Sequence, residues 1–437
     1  MNITAFFIFL VLIISILAIF SIISHNFSPT LTQNLTTSTA STLKTLNQTT
    51  STTTTLKIQT TFTSTTRPSS EGGGGGGGGN GGTTTTSTTS LTPSSSTITS
   101  TTISSSSSSS TTTTIPARSE SFQKGINFVS FGIKFSNPSE AIQKLEDLKN
   151  TNTEWVAFVA TWYQDNLTST YIRNTSATPT DQYLNTMIAN AKQLGFKTVL
   201  KPHLGILDGT YKGNIKPGGG TKWHEWFDNY RNFIYHYADL AEQNNVDMLT
   251  VGVELTSSQS KESEWRDTIS GVRQRFSGKI TYGPQQGNDA YKNVSWWDAL
   301  DYAAVDAYFP LTNKCDPTFD ELKAGWQTHL TDLRNWQASI NKPVIFTEIG
   351  DSYYNCSNIK PGSTEPNSKL NPLGVVDLQE QRDVYEATFQ TFYNEPWLVG
   401  MYWFTWDGNP SRPNSLPFAI NNNPARDVLT NWYAKNW

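Results

Sequence analysis

Two glutamates stand at the ends of short apolar runs, where a lone carboxylate is costly unless it does chemical work. Met248–Leu255 reads MLTVGVEL and leads to Glu254, and Pro343–Ile349 reads PVIFTEI and carries Glu348. Runs of Val, Ile, Leu and Phe at this length mark strands buried on both faces, as in a parallel sheet. The carboxyl end of such a strand is where barrel enzymes gather their reacting groups. Strict alternation puts Thr250, Gly252 and Glu254 on one side, and Val344, Phe346 and Glu348 on one side. Both acids are therefore expected to point inward, from strands that face each other across a barrel. Two opposed carboxylates suit cleavage of a glycosidic bond. One protonates the leaving oxygen; the other attacks the anomeric carbon, or activates water if the two stand further apart.

The surroundings are aromatic and polar. Trp162 ends the second apolar run, Lys201 and His203 end the third, Tyr308 follows Asp306 in the sixth, and Trp403 and Trp406 close the eighth. Aromatic rings stack on the C–H faces of sugars and leave their N–H or O–H free for hydroxyls. No pair of His or His/Asp residues is read as having metal-ligand spacing, and two cysteines are too few for a thiolate zinc site, so neither a metal nor another cofactor is expected.

These residues need a scaffold, and the chain from 119 to 437 supplies one. Strands are predicted at Lys124–Val129, Glu154–Thr161, Lys197–His203, Met248–Glu254, Lys279–Gly283, Tyr302–Phe309, Pro343–Ile349 and Val399–Trp406. Amphipathic helices alternate with them at 138–149, 181–194, 222–244, 262–276, 319–339, 378–393 and 425–434, with Trp296–Leu300 after the fifth strand. Eight alternations in this length predict an α/β fold, a closed (β/α)8 barrel of the TIM type. A doubly wound open sheet is the competitor, but no Gly-rich phosphate fingerprint follows the first strand.

The first 118 residues have another texture. Ile3–Ile23 is uncharged and apolar, so residues 1–24 read as a signal peptide or an uncleaved signal anchor, a possible membrane tether. Residues 25–118 are a Thr/Ser/Gly-rich linker with too little apolar surface to offset the entropy of ordering, and disorder is expected. Such stalks are common O-glycosylated spacers. N-x-S/T sequons stand at Asn26, Asn34, Asn47, Asn166, Asn174, Asn293 and Asn355. Together these features predict a protein that is secreted or held at the cell surface. The whole-chain net charge of −4 divides unevenly: Lys44, Lys57, Arg67 and Arg118 against Glu71 alone give the first 118 residues +3, and the remainder carries −7. That balance argues against a nucleic-acid surface. The two cysteines, Cys315 and Cys356, are too few for a disulfide scaffold but can pair in an oxidising compartment.

Read in order, KGINF at 124–128, TWYQ at 161–164, LKPH at 200–203, VGVEL at 251–255, WWDALDY at 296–302, VDAYFPL at 305–311, TEIG at 347–350 and MYWFTW at 401–406 resemble glycoside hydrolase family 113. The resemblance implies a retaining β-1,4-mannanase on a (β/α)8 barrel, with Glu254 as general acid/base and Glu348 as nucleophile. It makes Trp162, Lys201, His203, Tyr308 and Trp403 contacts to the substrate or nucleophile. Most members of the wider clan carry Asn just before the acid/base to bind the sugar's 2-hydroxyl; here that position is Val253. Asn288, His203 and Lys201 are the candidates to replace it. A bond between Cys315 and Cys356 would staple the rim beside Glu348. The expected substrate is β-mannan or glucomannan, handled by a monomer. Two alternatives stay open: a hydrolase of another β-glycan such as β-glucan, and a non-catalytic carbohydrate-binding surface protein, which would need the aromatics but not both glutamates.

Overall fold

The computed structural model describes residues 117–130, 138–409 and 416–437. The expected signal or anchor segment and nearly all of the linker lie outside the described residues. Eight strands form one sheet: β1 (Gln123–Val129), β2 (Trp155–Gln164), β3 (Lys197–Ile206), β4 (Met248–Val253), β5 (Lys279–Gly283), β6 (Ala303–Asp306), β7 (Val344–Ile349) and β8 (Leu398–Asp407). Their order is β5-β4-β3-β2-β1-β8-β7-β6, with parallel neighbours throughout. The two end strands meet through a single parallel bridge, Gln285 to Asp306, where the Asp306 N–H donates to the Pro284 carbonyl at 2.8 Å. The ring is nearly closed, and the predicted (β/α)8 barrel is borne out.

Helices α1 (Ser139–Lys149), α2 (Asp181–Gln193), α3 (Lys222–Gln243), α4 (Glu262–Arg273), α5 (Phe319–Ile340), α6 (Leu378–Phe392) and α7 (Pro424–Tyr433) wrap the sheet. Polar caps start several of them. The Thr180 hydroxyl accepts from the Tyr183 N–H, Thr318 and Glu321 form a capping box, and Asn423 caps α7 with Pro424 as its first residue. Between β5 and β6 the described chain makes two 3₁₀ turns, Gly287–Asn293 and Trp297–Ala299, in place of an α-helix. Asn288 and Asp289 break the first turn with φ of 52° and 54°.

Two apolar layers hold these elements together. Trp155, Ala157, Val199, Met248, Tyr302, Ala304, Ile345, Val399 and Tyr402 fill the lower barrel interior. A larger cluster, including Ile126, Leu200, Leu249, Val305, Val344 and Phe346, packs the outer sheet face against the helices. Alternating strand residues divide between the two layers as the pleat requires.

Candidate active site

Glu254 and Glu348 both reach the barrel mouth, but not by the expected parity. Val344 and Phe346 face the helices, with Phe346 edge-on to Phe392 of α6 at 5.1 Å. Ile345 lines the lower barrel and Thr347 bonds Asp306 of the neighbouring β6 on the inner face, so β7 has the opposite phase to the prediction. The register then slips: Val305 pairs with Phe346, but Asp306 pairs with Glu348. This extra residue turns Glu348 inward beside Thr347. β4 slips in the same way between Thr250 and Val253, and Val253 pairs with Gly283. A Cβ on Gly252 would meet the Trp265 and Tyr230 side chains at 2.9 Å, so Gly252 faces the helices rather than the interior. Glu254 follows with φ of 55°, its N–H donating to the Gly283 carbonyl at 2.7 Å. Bulges of this kind re-aim side chains next to active sites.

The two glutamates open onto one cavity of about 450 Å³. His203, Tyr211, Lys212, Gln285, Gln286, Tyr308, Phe404 and Phe418 share its walls, with Pro310 and the 360–364 loop at the rim. Glu348 is nearly buried and held by two donors: Lys201 Nζ reaches Oε1 at 2.6 Å, and the Tyr308 hydroxyl donates to Oε2 at 2.8 Å. Lys201 spends its other donors on the Thr347 carbonyl at 2.9 Å and Asn127 Oδ1 at 3.4 Å. Asn127 in turn donates to the Thr347 and Tyr402 carbonyls, tying β1, β7 and β8 beneath Glu348. Asp306 accepts from Thr347 Oγ1 at 2.7 Å, with Lys201 Nζ 3.9 Å away. A Cβ on Gly283 would come within 2.7 Å of Thr347 Oγ1, so only glycine leaves room for that pair.

Glu254 lies in a different field. Burial raises its pKa, the nearby Glu348 charge adds to the rise, and Lys212 Nζ at 3.4 Å opposes it; the net direction is upward. His203 is driven well below the usual imidazole range by burial and by Lys212 and Lys201, and is neutral near pH 7. Tyr308 is raised far out of reach by burial and the neighbouring acids, so it stays a phenol able to donate. One carboxylate gripped by cationic and phenolic donors, opposite another that tends to keep its proton, can divide nucleophile from acid.

Other residues singled out from the sequence sit elsewhere. Trp162 pairs with Leu204, on the side opposite to His203, and packs against Phe233, His236 and Tyr237 of α3. Trp403 stacks on Tyr385 of α6 at 3.7 Å, and Trp406 donates its indole N–H to the Lys144 carbonyl of α1. All three tryptophans belong to the helix layer, not the cavity. Asn288 is exposed on its 3₁₀ turn and does not line the cavity. The cavity's aromatics are Tyr211, Tyr308, Phe404 and Phe418, of which the sequence reading named only Tyr308. Lys212 and Tyr211 were missed because the loop after β3 carries no motif. Asn127 and Asp306 had a signal, as polar residues inside apolar strands.

Cys315 and Cys356 form a disulfide between the loops after β6 and β7. Glu380 of α6 supports the same loop, accepting from the Cys356 N–H, the Asn358 N–H and Asn358 Nδ2 at 2.8, 2.9 and 2.6 Å. The staple predicted beside Glu348 is present, and its loop continues into Lys360, Pro361 and Gly362 of the cavity wall.

A (β/α)8 barrel presenting two strand-end glutamates to one cavity, each with its own electrostatic setting, is the architecture of a glycoside hydrolase. The model of Glycoside Hydrolase Family 113 matches residues 128–416, and the chain belongs to that family. A solved β-1,4-mannanase of family 113, in a complex, is 27% identical over 72% of this chain and 100% of its own, with a TM-score of 0.64. A family 113 β-mannanase from Alicyclobacillus acidocaldarius, solved with ManMIm, is 27% identical over 73% and 99%, also at 0.64. A family 5 mannosidase from Rhizomucor miehei shares the fold at 11% identity over 72% and 92%, with a TM-score of 0.53. No functionally curated protein is similar to the chain at a significant level.

Proposed function

We propose that the protein is a retaining β-1,4-mannanase acting on mannan or glucomannan by double displacement. The observation that carries this reading is the unequal treatment of the two acids. Glu348 accepts from the Lys201 ammonium and the Tyr308 phenol, while burial raises Glu254. In the first step a Glu348 carboxylate oxygen attacks the anomeric carbon as the bond to the leaving oxygen breaks, and Glu254 gives its proton to that oxygen. In the second, Glu254 takes a proton from water, whose oxygen attacks the same carbon and releases Glu348. The solved family members that support the substrate are β-1,4-mannanases. The decisive test is digestion of mannan, glucomannan, cellulose and laminarin by purified protein, with the anomer of the first product followed by proton NMR. Mannooligosaccharides released first as the β-anomer are expected, and Glu348→Gln should lower kcat by on the order of 10⁴-fold with binding kept. Absence of mannan cleavage would refute the substrate, and initial α-anomer would refute the mechanism.

We further propose that the enzyme works outside the cell or at its surface. The apolar segment Ile3–Ile23 and the Cys315–Cys356 bond, a linkage that persists in oxidising compartments, support this. Recovery of the protein in the cytosolic fraction with both thiols free would contradict it.

A further inference from the structure

An enzyme attacking the anomeric carbon gains by gripping the hydroxyl on the adjacent carbon, and Val253 offers no polar atom for this. The three groups able to take the role separate clearly in the structure. Asn288 is away from the cavity. Lys201 has three protons to donate, and Asn127, Thr347 and Glu348 accept all three. His203 differs: its Nε2 is buried, makes no hydrogen bond among the described residues, and lies 3.6 Å from Glu348 Oε1.

The other ring nitrogen has a neighbour. Lys212 Nζ stands 3.5 Å from His203 Nδ1 and 3.4 Å from Glu254 Oε2. An ammonium can only donate, so the Nδ1 facing it is the lone-pair nitrogen, and a neutral imidazole then carries its proton on Nε2. We infer that His203, held in this tautomer by Lys212, reads the sugar hydroxyl adjacent to the reacting carbon. The 3.6 Å gap between Nε2 and Glu348 Oε1 is too long for a good direct hydrogen bond. His203 and Glu348 both line the cavity, so a hydroxyl oxygen set to the cavity side of the line joining these atoms would accept from Nε2–H and donate to the carboxylate. His203 is thus a specificity-determining residue, and Lys212 a positioning residue that touches both His203 and the proposed acid/base.

The inference rests on the glycosidase reading above, and its test separates the two. The probes are an aryl β-mannobioside and its counterpart lacking the 2-hydroxyl on the sugar bearing the aryl group. The wild type should prefer the hydroxylated probe in kcat/KM by on the order of 10²-fold or more, since a buried donor left unpaired is costly. His203→Ala should reduce that ratio to a few-fold, and His203→Gln, which keeps a donor, should restore part of it. Thermal midpoints of both variants show whether the fold survives. Independently, ¹⁵N spectra of the intact wild type should show Nε2–H for His203, and Lys212→Met should mix the tautomers. An unchanged ratio in a folded His203→Ala, or an Nδ1–H tautomer in the wild type, overturns the inference while leaving the hydrolase reading intact. Failure to cleave even the hydroxylated probe overturns both.

Discussion

Glu254 is balanced between burial, which favours its neutral form, and Lys212, which favours the charge. If Glu254 is the proton donor of the proposed first step, that step needs the proton in place, and kcat/KM should fall as pH rises through this raised pKa. Removing the opposing cation with Lys212→Met should move that alkaline limb upward by about one unit. A pH profile of mannan hydrolysis measures it, and an unmoved limb would show that Lys212 does not tune the acid. Asp306 makes a separate prediction. It is fully buried, Oδ2 makes no hydrogen bond among the described residues, and burial pushes its pKa well above the carboxylate range. The folded form therefore keeps a proton that the unfolded chain releases above about pH 4. Stability contributed by this group is present at acid pH and lost as pH rises towards the folded pKa. Asp306→Asn should raise Tm by about 2–4 °C near pH 8, with the gain vanishing near pH 4. A gain that is equal at both pH values would rule out titration as its cause.

At the scale of elements, the rim of the cavity depends on one stapled loop. The Cys315–Cys356 bond closes a separation of 41 residues, which in the chain-entropy account stabilises by about 4 kcal/mol. Glu380 adds buried hydrogen bonds to the same loop from the side of α6. Reducing the disulfide, or the double variant Cys315→Ser with Cys356→Ser, should lower Tm and raise KM more than it lowers kcat. That split follows because the loop shapes the wall at 360–362 but supplies neither carboxylate. Steady-state kinetics before and after reduction would decide it; a loss confined to kcat would place the effect at the chemistry instead. Glu380→Ala should destabilise by about 1–3 kcal/mol, because buried donors lose their acceptor. Urea unfolding of the variant reads that loss directly.

Across the whole molecule, aromatic residues fall into two populations with different work. Trp162, Trp403 and Trp406 bind the barrel to its helices, whereas Tyr211, Phe404 and Phe418 face the cavity. Trp162→Phe should leave kcat/KM within about twofold while lowering Tm, whereas Phe404→Ala should reduce kcat/KM by about tenfold through a weaker sugar contact. Side-by-side kinetics and melting curves distinguish the two, and an equal catalytic loss in both would undo the division. The barrel itself was legible in the chain because apolar strands and amphipathic helices alternate with different periods. Both glutamates were legible as well, since an acid ending a buried run is physically anomalous. Their inward aim was expected too, but the route to it was not legible, for a bulge is a backbone event: the slips at Val253 and Glu348 bring both acids inward although Gly252, Val344 and Phe346 take the face opposite to the one strict alternation assigns. The tryptophans were misplaced for a related reason, because strand-end position says nothing about which face a ring takes until the register with the next strand is known. Sequence alone thus determined the strand count and the two acids, through local pattern and the cost of burying charge. Only the tertiary structure could bring Lys212 against Glu254 and His203, because contacts between loops depend on how the closed sheet carries them together.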